Sequence, residues 1–220
     1  MSKPETIKIL LVDDHCIVRE GYRSLLSKQP GLQVVAEAGN SAQAYRWYQQ
    51  YQPDVLVTDL SMPDDSGLAL IKRVKQYCAA AKILVFSMHQ NPTFATQAIR
   101  AGALGYITKS SDPETLLQAI HEVHAGKLVL SADIAQELAL ERLGSEHLSL
   151  SELTVREFEI LRLLVDGQSH EQIAAILHIS PKTVGNTHYL IKNKLNVDSD
   201  IELTRLAIKL NILNLLELTT

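Results

Sequence analysis

Through residue 125 the chain alternates short apolar runs with amphipathic stretches, and after residue 148 that alternation stops. Strand-like runs fall at 7–12, 32–36, 54–58, 82–87 and 104–108, with helical spacing near 16–28, 41–51, 66–77, 92–101 and 113–125. Five strand–helix units in series leave few folds open. They predict a doubly wound α/β domain around a five-stranded parallel sheet, with right-handed crossovers. Ser41 and the pair Asp112-Pro113 carry helix-start signals. Gly126 is placed to end the fifth helix.

The residues that end these runs narrow the chemistry. Asp13 and Asp14 follow the first run, Asp59 the third, Ser87 the fourth and Lys109 the fifth. In an open parallel sheet the carboxyl ends of neighbouring strands meet at one edge, where ligands bind. Three carboxylates, a hydroxyl and an ammonium therefore converge there. Such a set suits a hard divalent cation and a phosphoryl group. Mg²⁺ takes oxygen ligands, commonly one or two carboxylates plus phosphoryl oxygens and water. A carboxylate can also accept a phosphoryl group as a nucleophile. Asp59 fits that role, because adjacent Asp13 and Asp14 form the more natural metal-holding pair. Lys109 can pair with phosphoryl oxygens and Ser87 can donate a hydrogen bond to one.

Beyond residue 148 no strand run remains, and helix-start signals come quickly. Thr154-x-x-Glu157, Ser169-x-x-Gln172 and Ser199-x-x-Glu202 each match a capping box, and Ser180-Pro181 places a cap before proline. Four helices follow, near 155–166, 170–177, 181–195 and 200–213. Only His178-Ile179-Ser180 separates the middle two, a helix-turn-helix pattern in an all-α, four-helix domain. The expected organisation is a phosphoacceptor domain over 1–126, a linker over 127–148 and a helical domain over 149–220. Within the linker, 131–143 can form a short helix and Gly144-Ser145 a break.

Composition sets limits. Net charge is −4, so any DNA contact must come from a local basic face rather than from bulk charge. No apolar stretch approaches the roughly 20 residues that span a bilayer. The chain runs from Met1 almost directly into a strand, leaving no room for a signal peptide. Cys16 and Cys78 have no metal-like spacing and fit a reducing compartment, so a cytoplasmic location without membrane association is expected.

Val12-Asp13-Asp14-His15, Asp59-Leu60-Ser61-Met62-Pro63 with Gly67, Phe86-Ser87 and Gly105-Tyr106-Ile107-Thr108-Lys109 resemble the receiver domains of two-component response regulators. The resemblance covers essentially all of residues 5–125. It implies that Asp59 accepts phosphate from a sensor histidine kinase. It also implies that Asp13 and Asp14 hold Mg²⁺, with the backbone carbonyl of Ser61 completing the site. Ser87 and Tyr106 would be a switch pair, the hydroxyl moving to the phosphoryl group as the ring turns inward. Ser110 stands where that family often has proline after the lysine. A rival class, the metal-dependent phosphohydrolases, commonly carries a second Asp two residues after the nucleophile. Here that position is Ser61, and the chain is not expected to be an enzyme. His89 is expected to face solvent.

Residues 149–210 resemble the LuxR-type helix-turn-helix of NarL/FixJ response regulators. Leu153-Thr154-x-Arg156-Glu157, Gln172-Ile173-Ala174-x-x-Leu177, Ile179-Ser180-x-x-Thr183-Val184 and Lys194-Leu195-x-Val197 carry that match. On the helix 181–195, Val184, His188, Ile191 and Leu195 share one face, which should be core. The opposite face carries Lys182, Gly185, Asn186, Tyr189 and Asn193; Thr183 stands near the helix start, and Lys192 and Lys194 add positive charge to a helix without acidic residues. The lysines would bind phosphates without sequence preference, and Thr183 would donate to one. Asn186 would pair with adenine, and Tyr189 would reach a base or phosphate. Gly185 and Thr187 replace the family's usual basic residue and histidine, which leaves room for a weaker DNA binder acting through proteins. The stripe Leu203, Leu206, Ala207, Leu210 and Leu213 suits either the domain core or a homodimer on double-stranded promoter DNA.

Overall fold

The computed structural model describes residues 6–62, 66–143, 150–210 and 212. Pro63, Gly144, Ser145 and Leu213 lie outside them. The chain forms two compact units: Met1–Gln90 with Ala98–Ala135, and Asn91–Gln97 with Gln136–Thr220.

The first unit follows the alternation in the sequence: β1 (Ile7–Val12), α1 (Cys16–Ser27), β2 (Leu32–Ala38), α2 (Ser41–Tyr51), β3 (Val55–Thr58), α3 (Gly67–Tyr77), β4 (Ile83–Ser87), α4 (Pro92–Ala101), β5 (Gly105–Thr108) and α5 (Pro113–His124). The strands lie parallel in the order β2-β1-β3-β4-β5, and β6 (Val129–Leu130) extends the edge. Every residue of β3, β4 and β5 is buried, as expected for a sheet covered on both faces. Tyr22 meets Phe86 edge-on beneath the sheet, ring centroids 4.7 Å apart.

Two details depart from the expected pattern. The sheet has six strands, not five. Two residues cannot show alternation, so β6 leaves no periodic signal. Backbone bonding makes it a strand, with Val129 donating to the Leu104 carbonyl at 2.9 Å and Ser131 to that of Tyr106 at 3.0 Å. The cap of α2 is Asn40, whose side chain accepts from the Gln43 amide, while Ser41 is the first helical residue. Gly126 does end α5: at φ +79° it takes the left-handed conformation, and Lys127 donates back to the Glu122 carbonyl at 2.9 Å.

The second unit holds α7 (Val155–Val165), α8 (His170–Leu177), α9 (Pro181–Lys194) and α10 (Asp200–Lys209); α6 (Ala132–Leu143) precedes them in sequence. Thr154 and Ser169 form complete capping boxes. Ser199 caps α10, but Glu202 bonds the Asp198 amide rather than closing a box. Val184, Ile191 and Leu195 are buried on the expected face of α9, and Leu203 and Ala207 on α10.

Candidate functional site

Strand order builds the first site. β1, β3, β4 and β5 are consecutive neighbours, so the residues just past them stand in a row. Backbone bonds carry the pairing to the edge: Asp59 donates to the Val12 carbonyl at 3.0 Å and Lys109 to that of Ser87 at 2.8 Å. Gly67 fixes the loop after Asp59. A side chain there would put its first carbon 2.3 Å from the Asp59 carbonyl oxygen, so only glycine lets α3 start so close.

At that edge the Lys109 ammonium donates to Asp13 Oδ2 and to Asp59 Oδ2, at 2.6 Å each. The three side chains are only 6 %, 4 % and 3 % exposed, so each charge depends on the others. Burial opposes the Lys109 charge, but Asp59 and Asp13 outweigh it and hold its pKa above the ordinary lysine value. The other Asp59 oxygen, Oδ1, accepts from the Leu60 and Ser61 amides at 2.6 Å and 3.4 Å. Those bonds aim the carboxylate.

Asp14 lies beside this cluster. Its Oδ1 is shielded from solvent and has no well-aligned hydrogen bond among the described residues, His15 Nδ1 being its one near polar neighbour at 2.9 Å. An unsatisfied buried carboxylate oxygen is costly, and a bound hard cation would relieve it. Ligand atoms of Asp13, Asp14 and His15 lie within 4.8 Å of one another, the one such group of three among the described residues. The donors present therefore fit a metal ion. His15 is a member that sequence reasoning did not single out. Its Nδ1 lies 2.9 Å from Asp14 Oδ1, and its amide donates to Asp13 Oδ1 at 2.9 Å. Its place beside Asp13-Asp14 was the available signal.

The two residues expected to act as a switch pair can also be located. Ser87 and Tyr106 are fully buried. The Tyr106 hydroxyl donates to the His89 carbonyl at 2.7 Å. Burial pushes its pKa well above the ordinary phenol value, against a smaller opposing effect of the Ser87 hydroxyl. His89 was expected to face solvent; instead it is half-buried, with Nε2 2.8 Å from Ser61 Oγ. It joins the loop after the carboxylate to the loop that receives Tyr106, a contact invisible in sequence because it spans separate loops. Ser110, in place of the usual proline, follows Lys109 through a trans peptide.

On α9, Lys182, Thr183, Asn186 and Tyr189 are all exposed, Tyr189 at 64 %. Lys194 is not free as expected: it pairs with Glu157 at 2.7 Å. The position of Lys194 in the last turn of α9 gives no hint of that partner on α7. Lys192 similarly pairs with Asp200 at 3.0 Å. Lys182 alone among the α9 lysines lacks a carboxylate partner among the described residues.

Residues 9–121 match the family described as "Response regulator receiver domain", and 151–207 match "Bacterial regulatory proteins, luxR family". The chain belongs to the response regulators. It is 35 % identical to response regulator UvrY of Escherichia coli over 94 % of this chain and 96 % of that one. It is 38 % identical to transcriptional regulatory protein UhpA of E. coli, covering 90 % and 96 %. Among solved structures it resembles RcsB of Salmonella enterica serovar Typhimurium bound to promoter rprA in the presence of a phosphomimetic, at TM-score 0.76 and 27 % identity over 91 % and 98 % of the two chains. This response regulator is a NarL/FixJ-type DNA-binding transcription factor, which removes the phosphohydrolase alternative. No helix among its described residues is long and apolar enough to cross a membrane.

Proposed function

We propose that Asp59 is the phosphoacceptor and that its phosphorylation by a sensor histidine kinase controls promoter binding through α9. The observation that carries this is the buried Lys109 ammonium held between Asp13 and Asp59. An Asp59 oxygen attacks phosphorus as the P–N bond of a kinase phosphohistidine breaks, and the electron pair leaves on the imidazole. Lys109 then pairs with the new phosphoryl oxygens, and Ser87 donates to one of them. Asp13, Asp14, Asp59 and the Ser61 carbonyl would hold Mg²⁺, which when bound neutralises charge on the transferring group. Ser87 and Tyr106 form the switch. Lys182 and Thr183 contact phosphates, and Asn186 and Tyr189 face the base edges. The promoter-bound RcsB relative supports that assignment. The active protein is a cytoplasmic homodimer on a pseudo-palindromic site, since paired helix-turn-helix units read two half-sites.

The test is direct. A small phosphodonor with Mg²⁺ should add one acid-labile phosphoryl group to the wild type and none to Asp59→Asn. Full labelling of Asp59→Asn would remove Asp59 from the role.

A further inference from the structure

Away from both sites, two histidines of the second unit face each other across the helix-turn-helix. His170 is the first residue of α8, and His188 lies in the middle of α9. His170 Nε2 and His188 Nδ1 are 3.3 Å apart, with the rings at 89°. On the far side of the His188 ring, Nε2 lies 3.0 Å from Asp200 Oδ1 at the start of α10. Lys192 holds the same oxygen at 3.0 Å, which keeps Asp200 on that far side.

We propose that His170 and His188 form a two-histidine site for a divalent transition-metal ion of the zinc, copper and nickel class, with Asp200 as a positioning residue.

Three observations carry this. The first is spacing. Two imidazole nitrogens bound to one tetrahedral zinc at about 2.0–2.1 Å sit roughly 3.3–3.4 Å from each other, which is the separation already present. The second is the tautomer. The Asp200 carboxylate oxygen, 3.0 Å from Nε2, favours the tautomer with the proton there, which turns the Nδ1 lone pair towards His170. Histidines that bind metals commonly hold a carboxylate on the other ring nitrogen in this way. Ligation takes the neutral imidazole.

The third observation is Gly185. A first side-chain carbon there would sit 3.8 Å from both Cε1 and Nδ1 of His170. The resembled family usually has a basic residue at this position, which would set a cation beside the imidazole. Glycine keeps that side uncharged. Among the described residues no third His, Cys, Asp or Glu joins the pair in a ligand cluster, so water fills the remaining positions. Binding replaces the N–H···N contact with two metal bonds; the His170 proton passes from Nε2 to Nδ1, so both rings ligate as neutral imidazoles and no proton is lost. The ion ties α8 to α9, the two helices of the helix-turn-helix.

Zn²⁺ should be titrated into the full chain near pH 7, with Mg²⁺ in excess. Imidazole ¹⁵N resonances are followed, assigned through wild-type backbone correlations. His170 Nε2 and His188 Nδ1 should shift together in one saturable step. His170→Gln should remove that step and leave any at His15 in place. Asp200→Asn should weaken it by about 10–100-fold without changing its stoichiometry. The proposal is overturned if Zn²⁺ saturates the protein while the His170 and His188 resonances stay fixed. It is equally overturned if folded His170→Gln binds the same number of ions with the same affinity. Because the first readout uses wild type, misfolding of a variant does not shelter the idea.

Discussion

The receiver edge and the recognition helix hold their charges in opposite ways. Lys109, Asp13 and Asp59 are almost wholly buried and satisfy one another. On α9, Lys182 and Asn186 stand in water, while Lys192 and Lys194 turn to carboxylates of their own unit. A buried charge must be answered by a fixed partner, so removing one member disturbs the rest. An exposed one is answered by solvent and acts nearly alone. The first region should therefore respond to mutation as a coupled set, and the second residue by residue.

Lys109→Ala gives the largest effect. It leaves Asp13 and Asp59 buried, close together and without their cation. We expect a loss of about 3–5 kcal/mol from the first unit, the usual result of breaking a buried ion pair from one side. Adding Asp59→Asn should recover part of it, because one surplus charge disappears. Urea midpoints of the two variants, with and without Mg²⁺, measure both effects. Additive losses in the double variant would show that the three side chains are not coupled.

The same contrast explains what could be read in advance. Asp13, Asp59, Ser87 and Lys109 were readable because strand ends fix where a side chain goes, and few residue types belong there. The paired helices were readable from caps such as Thr154-x-x-Glu157, whose chemistry is local. Contacts set by tertiary packing were not. β6 is too short to show a period. His89 meets Ser61, 28 positions away, and Lys194 meets Glu157, 37 positions away. Nothing in the spacing of either pair distinguishes it from many others. His188 was expected on the buried face of α9 and lies there, yet its neighbours His170 and Asp200 come from different helices.

On α9 the effects should be smaller and separable. Asn186→Ala should cost roughly 1–3 kcal/mol on the best DNA site and relax discrimination at one base pair, as for a lost bidentate contact. Lys182→Ala should weaken all sequences alike and reduce the salt dependence of log Kobs by about one unit. Binding isotherms on specific and random duplexes across a salt series test both. If Asn186→Ala leaves sequence preference intact, α9 is not the reading element.

Lys194→Ala separates a lysine of the fold from a lysine of the interface. Because Lys194 is engaged with Glu157, its loss should leave the salt slope near the wild-type value. Stability should fall by about 0.2–1 kcal/mol, the range for a partly exposed pair. Its pH dependence follows from Glu157. Burial raises that carboxyl's pKa, but bonds from Lys194 and Thr154 outweigh it and hold it below the ordinary value. A lowered carboxyl pKa contributes stability that is fully present above the unfolded value, roughly 4.3 for Glu, and is lost as pH falls through the folded one. The gap between wild type and Lys194→Ala should thus be constant near neutrality and close on acidification below that value. Denaturation at pH 7 and through the acid range measures it. A gap that persists unchanged in acid, or a salt slope reduced as for Lys182→Ala, would return Lys194 to the DNA-contacting set.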